Sequence, residues 1–435
     1  MKMWEKIKAK SRKMYDTGAL HITLGTFLTK FVAFFGSIVV VRLLSKEEYG
    51  VMSYVENIYS YALIFAALGM SNAVLRYLVI AESNEERRQY FNYIIKRSFF
   101  INLGISLILL FASQLVVFPE NYSAAKQLLP ILALLLPFQD LLNDDLYTIR
   151  SFFKNKLYAY AAFFSSAALI VGRIVGAIAC GVSGVLWSRV VINMLLAISG
   201  LCYVSNKLLV IKNTDRLDKE KKRIIDNYSL QYMVTNGFWA IFMLNDKFLL
   251  GLLLNDPAGL ADYNVASVLP GNIAIFATAI GSFVGPYFTK NEKNNAWIRR
   301  NYKTVFILSA GIVGAVAFGI GVVARPLIKF MYGEQYLNVI ALMRVLLIGA
   351  FFNSGLRYTT ANLLAAMGEI KYNMAVSGAG IIIQIVLDCL LIPQMGVMAV
   401  AVSNCVVFMM MAIVLCSVFY NKFYRVNGDS FMNKR

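Results

Sequence analysis

Gly396-Val397-Met398-Ala399-Val400-Ala401-Val402-Ser403-Asn404-Cys405-Val406-Val407-Phe408-Met409-Met410-Met411-Ala412-Ile413-Val414-Leu415-Cys416-Ser417-Val418-Phe419-Tyr420 carries no Asp, Glu, Lys or Arg. An α-helix rises about 1.5 Å per residue, so about 20 apolar residues cover the hydrocarbon core of a bilayer. This run is long enough. Runs of the same kind recur at 20–44, 51–79, 97–118, 127–149, 157–179, 185–205, 228–253, 261–289, 304–326, 339–366 and 373–392. The sequence thus predicts an all-α integral membrane protein with twelve transmembrane helices.

Composition agrees. Of the 435 residues 59% are hydrophobic and 15% charged, where soluble domains sit nearer half and a quarter. The net charge of +18 raises nucleic acid as a partner. The placement of the basic residues argues against it, because they cluster in short segments between apolar runs. Anionic lipid headgroups are the natural neighbours of such segments. With the N-terminus inside, and Arg97 and Arg325 at span edges counted with the adjoining loops, 30 of the 42 Lys and Arg fall in the inside segments and 4 in the outside loops. The positive-inside rule then places both termini in the cytoplasm.

The domains follow. Residues 1–19 form a basic cytoplasmic segment without the apolar core and cleavage site of a signal peptide. An N-lobe of six helices occupies 20–205, and a basic cytoplasmic linker 206–227. A C-lobe of six helices occupies 228–420, and a cytoplasmic tail 421–435. The five cysteines sit in or beside apolar runs without metal-ligand spacing, and His21 stands alone. No Gly-Lys-Ser/Thr phosphate loop is present, so an enzyme and a bound cofactor are not expected.

The halves repeat. Leu43-Leu44-Ser45 with Gly50 and Tyr54 parallels Leu253-Leu254-Asn255 with Gly259 and Tyr263. Glu120-Asn121-Tyr122 parallels Glu334-Gln335-Tyr336, and Gly184-Val185 parallels Gly396-Val397. Six is even, so both copies enter from the same side. The expectation is two pseudo-symmetric lobes around a central cavity, rocking to give alternating access.

Eight basic residues fall inside spans, where a charge costs roughly 2.5–3.5 kcal/mol at the bilayer centre. Arg42, Arg76, Arg189 and Arg344 lie near span ends and can snorkel to the interface. Lys30 shares a helical face with Thr23, Thr26 and Ser37; Arg357 shares one with Asn353 and Thr360. Lys247 lines up with Ser229, Tyr232 and Asn236, and Arg173 lies below Ser165. Lys30, Arg173, Lys247 and Arg357 are therefore candidates for a cationic cavity that binds an anionic group such as phosphate. The competing reading pairs these cations with the intramembrane acids Glu56, Asp140, Asp144, Asp145, Asp246 and Asp388. Asp140, Asp144 and Asp246 are candidate coupling acids, whose protonation would link transport to a gradient of H+ or Na+. Pro130, Pro137, Pro270-Gly271 and Gly285-Pro286 mark kinks that could serve as hinges.

Val41-Arg42-Leu43-Leu44-Ser45-Lys46-Glu47-Glu48-Tyr49-Gly50 resembles the first-loop signature of the Wzx-type polysaccharide flippases, which belong to the MOP (MATE-like) exporter superfamily. Asp246-Lys247-Phe248-Leu249-Leu250-Gly251, Met331-Tyr332-Gly333-Glu334-Gln335-Tyr336 and Ala365-Ala366-Met367-Gly368-Glu369-Ile370-Lys371 extend the resemblance, as does Leu391-Ile392-Pro393-Gln394-Met395-Gly396-Val397. It covers about 18 to 420. The resemblance implies a MATE-like fold in a bacterial inner membrane. It further implies a flippase for undecaprenyl-diphosphate-linked glycan units that feed O-antigen, capsule or similar polysaccharide. Polysaccharide polymerase and ligase machinery would be its partners. A lipid II-type flippase is the alternative within the superfamily, although such relatives generally carry fourteen spans. A cation-coupled multidrug exporter is another, although those favour acidic cavities. A membrane scaffold for polysaccharide synthesis is the alternative from another class.

Overall fold

The computed structural model describes residues 19–211 and 217–425. The basic N-terminal segment before Ala19, part of the linker and most of the C-terminal tail lie outside the described residues, as does the side chain of Thr23. Every regular element among the described residues is a helix. Ten of these helices are long and apolar enough to cross a membrane, or eleven counting the bent pair Lys219–Gly237 and Ala240–Leu254. Large apolar side chains such as Phe111, Phe164, Phe283 and Phe318 stand more than half exposed along them. In water such a surface would aggregate; against lipid chains it is the expected one. The chain is a multi-span membrane protein.

The chain forms two compact units, the first through Leu244 and the second from Asn245. In the first, α1 (Ala19–Leu43) is followed by α2 (Lys46–Ile64), α3 (Met70–Ile80), α4 (Asn84–Leu115), α5 (Ala125–Ser151) and α6 (Asn155–Tyr203). The tight turn before α2 is a capping box. Ser45 Oγ accepts the Glu48 amide at 3.2 Å, and the Ser45 amide donates to Glu48 Oε2 at 2.9 Å. Two orphan amides of the helix start are thereby satisfied, and the acids at Glu47 and Glu48 suit its dipole. Ser83 caps α4 in the same way, accepting from Glu86 at 3.0 Å.

One span of 54 residues, Asn155–Leu208, would be about 80 Å long if straight. It is not straight. Cys180 and Gly181 leave the helical region, with Gly181 at φ 57°, and Gly176 and Gly184 on either side touch backbone to backbone. The stretch is a helical hairpin whose arms are the two runs at 157–179 and 185–205. The runs at 157–179 and 185–205 thus share one helical stretch among the ten or eleven spans. The repeat is sharpened here as well. Gly181 (φ 57°, ψ −138°) has nearly the same backbone as Gly396 (φ 59°, ψ −139°), so the counterpart of Gly396 is Gly181 rather than Gly184. Tyr122 and Tyr336, each on a short 3₁₀ turn, are both fully buried.

At the centre of the first unit α5 runs unbroken past Pro130 and Pro137, burying Leu132, Leu135 and Leu136. Met70, Val74 and Leu78 of α3 pack with Phe91 and Ile94 of α4, Ile149 of α5, and Ile225. Ile225 belongs to α7 (Lys219–Leu254), whose start is tied to α4 by Arg97–Asp226 at 3.0 Å and Lys221–Glu86 at 2.6 Å.

The second unit comprises the end of α7, then α8 (Pro257–Asn272), α9 (Ala274–Lys290), α10 (Asn295–Val322), α11 (Ala324–Tyr332), α12 (Ile340–Ala350), α13 (Thr359–Ala366), α14 (Ile370–Met395) and α15 (Val397–Tyr420). The kink at Pro270-Gly271 separates α8 from α9, whereas Pro286 is carried inside α9. Between α12 and α13 the stretch Phe351–Tyr358 winds as a wider π-helix. Phe288, Ile298, Leu363, Leu364, Leu415 and Phe419 form the core at one end. There the loop residue Glu369 receives the Lys422 ammonium, which holds its carboxyl below the ordinary carboxylate range.

The α6 hairpin gives a direct test. A Cβ at Gly176 would lie 2.2 Å from the Gly184 carbonyl oxygen, whereas one at Gly104 meets nothing within 4 Å. Gly176→Val should destabilise the protein by about 2 kcal/mol or more and reduce the monodisperse yield in detergent. Gly104→Ala should leave thermal unfolding unchanged or slightly raised. Equal behaviour of the two would contradict the hairpin packing.

Candidate functional site

Glu56 lies about three turns into α2. Both of its nearest cations come from the α6 hairpin. Arg189 Nη1 donates to Glu56 Oε1 at 2.6 Å, and Arg173 Nη2 stands 3.6 Å from the same oxygen. The side chains of Arg173 and Arg189 are about one-fifth exposed. Two guanidiniums on one carboxylate leave an excess positive charge in the membrane-spanning part of the unit. Arg173 Nε has no hydrogen-bond partner among the described residues. A planar, unsaturated guanidinium pair of this kind is suited to bidentate contact with phosphate oxygens.

Arg173 was expected to line a cavity, and it is also ion-paired. Arg189 is not the interfacial anchor that its place near a span end suggested, because its charge turns to Glu56. Lys30 is exposed and makes no hydrogen bond or ion pair with any described residue; Ser37, on its face, donates to the Phe34 carbonyl at 2.7 Å. Arg76 lies over the Tyr228 ring, 4.9 Å from its centre.

A second polar centre of the first unit is built on Asp140 of α5. Ser71 of α3 donates to Oδ1 at 2.6 Å; Asn102 and Ser98 of α4 donate to Oδ2 at 2.6 and 3.1 Å. The free oxygen of Asn102 accepts the Ala67 amide at 2.6 Å. Ala67 and Leu68, both at φ 48°, and Gly69, at φ 81°, are where the second span breaks into α2 and α3. A left-handed run of this kind strands amides, and the Asn102–Asp140 pair holds one of them. The candidate coupling acids Asp140 and Asp144 differ in their surroundings. Asp140 has both oxygens occupied, while Asp144 Oδ1 and both Asp145 oxygens are buried without a partner among the described residues.

In the second unit Asp246 is fully enclosed. It accepts from Tyr263 at 2.6 Å, Asn404 at 2.8 Å and Gln384 at 2.5 Å. Beside them Ser403 donates to Asp388 Oδ1, while Asp388 Oδ2 and Gln384 Oε1 are buried and unpartnered among the described residues. Asp388, Gln384 and Asn404 were not singled out together from sequence, because α14 and α15 bring them in from far along the chain. Lys247 is half-buried beside Asp246. On its expected face, Ser229 and Asn236 spend their donors on the α7 carbonyls of Ile225 and Tyr232. Arg357 is buried on the π-helical stretch and donates to Asn353 at 3.0 Å and Ser377 at 2.8 Å. Thr360 faces elsewhere, sharing a hydrogen bond with Tyr302 at 3.0 Å.

Comparison with known proteins fits this arrangement. Residues 39–341 match the family model described as polysaccharide biosynthesis protein, well over half of the chain. The chain belongs to the polysaccharide biosynthesis protein family. No curated protein sequence matches it. Among solved structures this family member is similar to the lipid II flippase MurJ in an inward closed conformation. The two are 17% identical with a TM-score of 0.71, covering 92% of this chain and 87% of the other. It is also similar to an inward-facing multidrug resistance MATE family transporter of the MOP superfamily. There the identity is 16% and the TM-score 0.69, over 91% and 95% of the chains. A MOP superfamily transporter from Pyrococcus furiosus, described as having a binding pocket of reverse polarity, matches at 15% identity and TM-score 0.57. That match covers 92% of this chain and 93% of the other. At these identities the likeness establishes the fold, which is that of MurJ and the MATE transporters.

The Asp140 centre predicts its own energetics. Asp140→Ala strands two hydroxyls and the Asn102 amide, and should destabilise by roughly 2–3 kcal/mol. Asp140→Asn keeps the shape but turns a donor toward donors, and should fall between. Thermal unfolding in detergent checks this order; an Ala variant as stable as the parent would contradict it.

Proposed function

We propose that this family member is a flippase of the bacterial inner membrane. It moves undecaprenyl-diphosphate-linked oligosaccharide units to the outer leaflet by alternating access, delivering them to polymerase and ligase machinery for surface polysaccharide. The observation that carries this reading is the Glu56–Arg173–Arg189 cluster, an excess of guanidinium charge inside membrane-spanning helices. A diphosphate brings the compensating charge and can displace Glu56 from one arginine without stranding the other. Family membership supports the polysaccharide context, and the fold shared with a lipid II flippase supports the lipid-linked substrate.

Lys30 is assigned to the same anionic headgroup, as an exposed cation on a span with no partner among the described residues. Lys247, in the second unit, is proposed as an anion-binding cation of that unit. Arg357 is given the lesser part, since two of its nitrogens already hold Asn353 and Ser377. Coupling to H+ or Na+ is assigned to Asp246. Its enclosure, with Asp388 Oδ2 and Gln384 Oε1 left as spare buried oxygens, supports binding of a proton or small cation there. Asp140 is a weaker coupling candidate, because its oxygens are spent on holding a helix break; Asp144 retains one free oxygen.

The test is complementation of a strain lacking the gene. Arg173→Gln and Arg189→Gln should each lower surface polysaccharide at least about tenfold while membrane insertion is unchanged, with Lys at either position restoring part. Full polysaccharide from both Gln variants would remove the arginines from the site. Increased drug sensitivity of the deletion strain with normal polysaccharide would instead favour the multidrug exporter. Asp246→Asn should abolish the dependence of flipping on the ion gradient; gradient-dependent flipping in that variant would end the coupling assignment.

A further inference from the structure

The first unit contains a cavity of about 480 Å³ at the break between α2 and α3, within the usual range of small-molecule sites. It is lined by Asn72, Asn143, Tyr147, Tyr232 and Asn236 among others, with Gly69 at the break itself. Its chemistry differs from that of the arginine cluster. No Lys or Arg is among its described lining residues, and its one acid, Asp140, has both oxygens taken by Ser71, Ser98 and Asn102. The cavity therefore offers an ion nothing. Its free groups are neutral: the amides of Asn72 and Asn143 and the hydroxyls of Tyr147 and Tyr232 make no hydrogen bond to any described residue.

We infer that this cavity is a subsite for the neutral sugar part of the substrate, separate from the arginines that take the diphosphate. The inference rests on the flippase reading above. A carboxamide offers a donor and an acceptor side by side, which matches the paired hydroxyls and acetamido groups of a sugar ring. Tyrosine adds a hydroxyl together with a ring face for the C–H side of the sugar. The remaining wall, with Leu63, Ile64, Met233 and Met243, is apolar and in part made of adaptable methionine. The helix break borders the cavity. Gly69 packs closely there: a Cβ on it would lie 2.4 Å from the Ser229 carbonyl oxygen.

The experiment measures affinity of the purified full chain in detergent by native mass spectrometry for two probes, undecaprenyl diphosphate and undecaprenyl-diphosphate-linked N-acetylglucosamine. The parent should bind the sugar-bearing lipid about tenfold more tightly than the sugar-free one. The double variant Asn72→Leu, Asn143→Leu should bind the two alike, with affinity for undecaprenyl diphosphate unchanged. Tyr232→Phe, which removes only a hydroxyl, should lose part of the preference. Arg173→Gln should weaken both lipids and keep their ratio. A double variant that keeps the parent's preference overturns the subsite, as does one that loses both lipids equally. Equal binding of both probes by the parent also overturns it, while leaving the flippase reading intact. Binding of neither lipid by the parent overturns both.

Discussion

A carboxylate placed among membrane-spanning helices has to be hydrogen-bonded, and in the first unit Asp140 meets that demand with donors from two other helices. Ser71 comes from α3, Ser98 and Asn102 from α4, and all three converge on one side chain of α5. Through Asn102 the same centre reaches the Ala67 amide, at the point where the second span runs left-handed for three residues. Without that acceptor the amide would be stranded in a medium with no water to satisfy it. Asp140 thus allows the chain to keep a break in a membrane helix, and the cavity lies beside that break. Fold and site depend on the same few hydrogen bonds.

The second unit uses the same chemistry to a different end. Asp246 is also surrounded by hydroxyl and amide donors, from Tyr263, Gln384 and Asn404. Here the donors do not cap a helix break, and oxygens are left over at Asp388 and Gln384. A satisfied buried acid serves architecture, while a cluster with spare oxygens has capacity for a proton or cation. Spare buried acid oxygens occur in the first unit too, at Asp144 and Asp145, so what sets Asp140 apart is its hold on the helix break.

The helices were legible because the bilayer demands a length and a composition, and both are written locally. Ser45 and Glu48 stand three apart, the spacing of the capping box that the structure shows. The hairpin at Gly181 was displaced by three residues, since Gly184 has the same company of valine and glycine and only the backbone angles separate them. The break at Ala67–Gly69 left no proline to announce it; its cause, Asn102, lies 35 residues further on. The cations were found individually by their cost in the membrane. Their partners were not, because Glu56 and Arg189 are 133 residues apart and no helical period connects them. What sequence misses is contact between helices, and it is contact that joined Arg173, a candidate, to Arg189, which was not one.

The central claim is that excess guanidinium charge in a membrane-spanning bundle moves a lipid-linked diphosphate glycan from one leaflet to the other. The most direct measurement reconstitutes the purified chain in vesicles with undecaprenyl-diphosphate-linked N-acetylglucosamine carrying a fluorophore on the sugar, and follows access of a membrane-impermeant quencher. The account predicts that quenching passes beyond the fraction initially facing outward, and that the Arg173→Gln, Arg189→Gln double variant stops at that fraction. Quenching by the double variant to the same extent and at the same rate as the parent would contradict it.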